Sequence, residues 1–142
     1  VARKLLECGI EVGSISHDGQ TPLFVAASCG NAPVMKLLLP QPGIDANTPD
    51  GDGQTPLLIA ATKGHEEAVR LLLSHPGVIV NVTKDGNSGT PLTMAAMNGY
   101  DKVVRLLLDH PDINVNYETG YSFTAVVWAV INRHEVVARM LV

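Results

Sequence analysis

The stretch from Thr55 to Leu73, Thr-Pro-Leu-Leu-Ile-Ala-Ala-Thr-Lys-Gly-His-Glu-Glu-Ala-Val-Arg-Leu-Leu-Leu, recurs with drift along the whole chain. Its opening threonines are Thr21, Thr55, Thr90 and Thr124, which stand 34, 35 and 34 residues apart. A constant period of this size constrains the fold more than any other feature. Each unit is one supersecondary element too small to bury its own apolar face, so neighbouring units must stack in a row and share an interior.

Within a unit, Thr followed by Pro predicts a helix N-cap and first helical residue, where the missing proline N–H costs nothing. A short helix then ends near Gly30, Gly64 and Gly99, at points where a left-handed backbone is cheapest without a Cβ. A second helix follows. Its first turn carries Glu66 and Glu67, Asp101 or Glu135, which suit the positive end of the helix dipole, and apolar residues such as Val69, Leu72 and Leu73 fall at helical spacing. Ala26, Ala27, Ala60, Ala61, Ala95 and Ala96 predict inner helices thin enough to pack closely, with Leu23, Leu57 and Leu92 filling the gaps. Helices this short are marginal alone, so stacking has to stabilise them.

The registered copies of Thr-Pro-Leu, Ala-Ala, Gly and Leu-Leu-Leu resemble ankyrin repeats. The resemblance implies an all-α repeat solenoid of stacked antiparallel helix pairs with projecting β-hairpin loops, arranged as a single array over 1–142. Its divisions are a partial repeat at 1–13 and repeats at about 14–47, 48–81, 82–116 and 117–142. The chain begins and ends inside the repeat and lacks an initiator Met, so a segment of a longer protein is expected. The links after the outer helices, carrying His75-Pro76-Gly77 and His110-Pro111-Asp112, are one residue longer than the family norm. The His that follows Thr-Pro-Leu in the family and ties neighbouring loops together is replaced by Phe24, Leu58, Thr93 and Val127, so that network must be absent or replaced. Pro91 has its counterpart in Ala125, and the turn glycine in Arg133. Ser88 and Ser122 stand where the earlier hairpins have glycine, and Asn81 to Thr90 holds one extra residue, so the C-terminal hairpins are expected to differ in shape.

Most chemistries find no support. The formal net charge of −4 and the scattered Lys and Arg residues argue against a nucleic-acid partner. Arg70, Arg105, Arg139 and Lys36 recur at one place on the outer helices and predict a solvated stripe. No apolar run approaches the roughly 18 residues that span a bilayer, and no secretory signal is visible. Two cysteines, Cys8 and Cys29, are too few for a disulfide framework and fit small helix-end residues in a cytoplasmic or other intracellular, reducing compartment. Asp50-Gly51-Asp52-Gly53 opens like a calcium loop, but the twelfth residue is Ala61 rather than Glu. His75 and His110 occupy equivalent positions and are expected at helix ends rather than on a metal. Asn81-Val82-Thr83 is a glycosylation sequon that coincides with the hairpin Asn of the repeat. Cys29, His17 and Asp18 sit where the repeat varies freely and make no nucleophile. No catalytic residue, cofactor, metal or small-molecule ligand is expected.

A protein partner is the remaining reading, bound through the concave face and the hairpin tips. Of six aromatics only Phe24 precedes position 100, while Tyr117, Tyr121 and Phe123 crowd one hairpin. Tyr121 stands where other units have Asp18, Asp52 and Asn87, and Phe123 where they have Gln20, Gln54 and Gly89. The resemblance implies that these positions are exposed and meet partners; the alternative is that the rings pack on each other or on a following repeat. The candidate contact residues are Tyr121, Phe123, Tyr117, Asp52, Gln54, Thr62, Lys63, Met97, Asn98, Ile131 and Asn132, with Ser28 and Cys29 on the same side. The rival function is a regulatory or substrate-docking array attached to a larger enzyme or signalling NTPase.

Overall fold

Helix initiation follows directly from the threonines. Thr55 Oγ1 accepts a hydrogen bond from the Leu58 amide at 3.2 Å, and Pro56 takes the first helical position. Thr21 does the same for Phe24 at 3.1 Å and Thr90 for Thr93 at 3.3 Å. Thr124 lacks this side-chain bond, and the helix it opens starts at Ala125 instead of a proline. The computed structural model describes residues 14–142; the expected partial repeat at 1–13 and Cys8 lie outside the described residues. The helices are α1 (Pro22–Cys29), α2 (Ala32–Leu38), α3 (Pro56–Lys63), α4 (Glu66–Leu73), α5 (Pro91–Asn98), α6 (Asp101–Leu108), α7 (Ala125–Ile131) and α8 (Glu135–Leu141). Odd-numbered helices stack into an inner row and even-numbered ones into an outer row, each pair packing also on itself. The all-α solenoid expected from the repeat is therefore present.

The interior is continuous along the row. Ala27, Ala60, Ala61, Ala95, Ala96 and Ala129 are 0% exposed, so the inner helices meet almost backbone to backbone. Leu23, Leu57 and Leu92 wedge between them and the outer row, which contributes Met35, Val69, Leu72, Val104 and Leu107. Each such leucine contributes about 1.5–3 kcal/mol by leaving water, and it does so against residues of adjoining units.

A second device joins the units where the inner helices turn back. Gly30, Gly64 and Gly99 have φ of 68°, 75° and 76°, and the residue after each turn lies over the turn glycine of the preceding unit. A Cβ on Gly30 would fall 2.6 Å from His65 Nδ1, one on Gly64 2.8 Å from the Tyr100 ring, and one on Gly99 2.5 Å from His134 Nδ1. His65 and His134 also donate Nε2–H to the Ser28 and Met97 carbonyls, both at 3.0 Å. These bonds tie units together at two of the three junctions, at the ends of the inner helices rather than between the loops. Thr93, at that histidine position, instead meets Thr90 Oγ1 at 3.1 Å.

On the opposite side, asparagines clamp successive links. Asn47 donates to the Gly77 carbonyl and accepts from the Ile79 amide, each at 2.8 Å. Asn81 repeats this with the Asp112 carbonyl at 2.7 Å and the Asn114 amide at 2.8 Å. The sequon asparagine thus uses both its Nδ2 and its Oδ1 in the clamp. The loops project as tight turns; among the described residues no strands pair.

Arg133 occupies the last turn at φ 61° without being glycine. Gly64→Ala is expected to lower stability by at least about 1 kcal/mol, since Ala must adopt the left-handed angle and displace Tyr100. Arg133→Gly, which relieves the same backbone cost with no ring overhead, is expected to raise it by up to about 1 kcal/mol. Urea midpoints at unchanged m-value measure both.

Candidate functional site

Four turns project from the links at residues 16–20, 50–54, 85–89 and 119–123, here called tips 1 to 4. Tips 1, 2 and 4 share one geometry. The amides of Ser16, Asp50 and Thr119 bond the carbonyls of Gln20, Gln54 and Phe123 at 2.9, 2.9 and 3.1 Å, and Gly19, Gly53 and Ser122 supply the left-handed residue at φ 75°, 82° and 58°. Ser122 takes that angle at a cost on the order of 1 kcal/mol. Tip 3 differs, as the extra residue and Ser88 led one to expect; tip 4, expected to differ as well, does not, because Ser122 adopts the glycine's left-handed angle. Gly86 carries the positive φ of 77°, two positions earlier, and Ser88 is spared it.

Tip 3 is held by side chains instead. Asp85 Oδ1 accepts from the amides of Asn87 at 2.9 Å and Ser88 at 2.7 Å, and Oδ2 accepts from the Ser88 hydroxyl at 2.8 Å. These donors, led by the Asn87 amide, hold the Asp85 carboxyl below its ordinary value of 3.8. Thr83 Oγ1 accepts from the Gly86 amide at 2.8 Å, and the Tyr117 hydroxyl donates to the Gly86 carbonyl at 3.0 Å. Tyr117, expected among the contact residues, is half-buried and braces its neighbour's tip. Gly51 N bonds Asp18 O and Gly120 N bonds Asn87 O, both at 2.9 Å. Tips 1 and 2, and tips 3 and 4, are thereby joined. Gly86, which would make the corresponding bond to tip 2, spends its amide on Thr83.

The aromatic residues divide by role. Tyr121 is 77% exposed. Phe123 is half-buried, its ring 6.4 Å from Tyr121 and 5.4 Å from Trp128, the latter edge-on at 76°. Such a pair contributes about 0.5–1.5 kcal/mol beyond area burial. Phe123 is thus a support and Tyr121 the outward ring. Trp128, like Asp85, was not among the residues expected from the sequence. It holds the repeat position of Val25, Ile59 and Met94, and the 43% exposure of Val25 there places the position on the groove side. An apolar residue recurring beside the alanine pair was the available signal.

Between tips 3 and 4 and the inner helices lies a cleft of about 480 Å³, lined among others by Asp85, Ser88, Met97, Thr119, Tyr121 and Trp128. A smaller depression of about 280 Å³ between tips 2 and 3 is lined among others by Gln54, Leu58, Thr62, Lys84 and Met94. Asp52 is exposed on tip 2. The other candidates are largely engaged with the scaffold. Thr62 Oγ1 donates to Leu58 O at 2.7 Å, Lys63 Nζ to Ser28 Oγ at 2.9 Å, and Asn98 Nδ2 to Met94 O at 2.9 Å. Asn132 Nδ2 donates to Trp128 O at 3.1 Å. Ile131 is 51% exposed at the end of the row. Of the expected contact residues Tyr121 and Met97 converge on one place, together with Asp85 and Trp128, which were not among them, and the others are spread along the groove.

The outer stripe is solvated. Arg70 pairs with Glu66 and Glu67, both at 3.2 Å, and Arg139 with Glu135, all within their own helices. Among the described residues no helix is long and apolar enough to cross a membrane.

A family model for ankyrin repeats in three copies matches residues 1–84 and again 76–142. No curated protein matches the sequence. Members of this family are generally protein–protein interaction modules, typically non-catalytic.

Because its folded pKa is depressed, Asp85 contributes stability that is present above its unfolded pKa and is lost as pH falls through the folded value. Carbon-detected NMR titration is expected to place the Asp85 midpoint below 3.8, with the Ser88 amide shift following the same curve. In Asp85→Asn that Ser88 transition disappears.

Proposed function

We propose that the chain, which belongs to the ankyrin-repeat family, is a non-catalytic module that binds a partner protein along its concave face and hairpin tips. The observation that carries this reading is Tyr121: a large ring 77% exposed, on a tip whose backbone is bonded to its neighbour, with Phe123 beside it and Trp128 packed edge-on against Phe123. A rigid aromatic of this kind loses little freedom on docking, so most of its contact energy appears as affinity. The sidedness supports the same face. The groove side offers clefts between tips, whereas on the outer helices Arg70 and Arg139 are already paired with carboxylates of their own helices. An intracellular, reducing setting fits an exposed Cys29.

Crosslinking capture with the parent, Tyr121→Ala and Arg105→Ala tests the primary reading. Tyr121→Ala is expected to lower recovery of the bound protein by tenfold or more, as loss of about 2 kcal/mol or more at an anchor requires, while Arg105→Ala leaves it unchanged. Equal recovery across all three counts against the groove side as the docking face. Tyr121 is preferred to Phe123 because truncating Phe123 also unpacks Trp128.

A further inference from the structure

The tips differ in charge from the rest of the surface. Asp18, Asp50, Asp52, Asp85 and Glu118 stand on or beside them, with Lys84 the one permanent cation and His17 the one imidazole. The nearest other cation on the groove side, Lys63, has its ammonium on the Ser28 hydroxyl. The remaining basic side chains of the described residues lie on the outer helices or at the far turn, at Lys36, Arg70, Lys102, Arg105, Arg133 and Arg139. Five carboxylates in a row over low-dielectric walls focus a negative potential along the tips.

Within that field the cleft between tips 3 and 4 has an unusual combination of walls. Asp85 stands on one side, oriented by three donors that still leave a carboxylate acceptor position open. Tyr121 stands on the other, and Met97 and Trp128 line the cleft from the inner helices. Trp128 is held there at a cost, because its Nε1 is buried without a hydrogen-bond partner. Val, Ile and Met serve the same repeat position elsewhere, so stacking alone does not demand an indole. A fixed carboxylate beside exposed aromatic surface is the chemistry that receives a cation on a hydrocarbon stem.

We infer that this cleft seats a lysine or arginine side chain from an extended basic segment of the partner protein, its stem on Met97 and Trp128 and its charged head between Asp85 and Tyr121. Flanking basic residues of the same segment lie along Asp52 and Asp50. The inference rests on the interaction-module reading and narrows the class of partner. An acidic or phosphate-bearing ligand would face the carboxylates unpaired.

Trp128 is the chain's one tryptophan, so its fluorescence reports the cleft directly. Short Gly-Ser peptides bearing spaced arginines, norleucines or glutamates are titrated into the chain at low and at physiological salt. The arginine peptide alone is expected to give a saturable change in emission, weaker at higher salt. Asp85→Asn keeps an acceptor for the tip amides and loses the charge, and is expected to weaken binding about tenfold or more, while Lys84→Gln strengthens it about two- to threefold. Arg105→Gln on the outer row leaves it unchanged. Norleucine binding equal to arginine, or Asp85→Asn within twofold of the parent, overturns the inference. Arginine-peptide binding that leaves Trp128 emission unmoved overturns it too, since diffuse attraction to the tips then suffices. If the peptides fail while partner capture still depends on Tyr121, the module reading stands and the basic-segment inference alone falls; if capture is also indifferent to Tyr121, both fall.

Discussion

A helix of seven or eight residues has almost no stability of its own in water, because too few hydrogen bonds form to offset the ordering of its first turn. All eight described helices are of this length, and every one depends on apolar surface supplied by another unit. The alanine pairs make this possible by letting inner helices approach until their Cβ atoms are fully covered. The turn glycines add a second dependence, since each accepts the ring that follows the next turn. Stability is therefore a sum of contacts between neighbours, with no central core to which they all report.

Much of this was legible because it is local and repeated. Thr-Pro fixes a helix start through one side-chain bond, glycine permits the left-handed turn, and Ala-Ala states the allowed approach distance. Even Arg133, without glycine's freedom, announced the backbone angle it would be forced to take. What was not legible depends on how side chains of different units meet. Nothing in the order of residues says that Phe123 leans on Trp128, that Tyr117 spends its hydroxyl on Gly86, or that Gly86 relieves Ser88 of the positive angle. Likewise the bonds that His65 and His134 make to carbonyls of the preceding unit appear only when rings are placed over glycines two helices away.

The candidate surface consequently separates into groups that hold the shape and groups left over. Thr62, Asn98, Asn132 and Tyr117 share the groove side with Tyr121, but their polar atoms are spent on carbonyls of the scaffold. Ankyrin repeats work as binding modules because such internal obligations are met by invariant parts of the unit. Here the last unit blurs that division: aromatic residues sit in hairpin positions that elsewhere hold Asp, Asn, Gln or Gly, and they bring their own supports.

The backbone bonds between tips have a mechanical corollary. Tips 1 and 2 are tied through Gly51 and Asp18, and tips 3 and 4 through Gly120 and Asn87. Among the described residues no backbone hydrogen bond crosses from tip 2 to tip 3, where Gly53 only abuts the Lys84 carbonyl. The row of tips therefore has one lateral tie fewer at its middle step, while the inner helices beneath it pack there as closely as at the steps on either side.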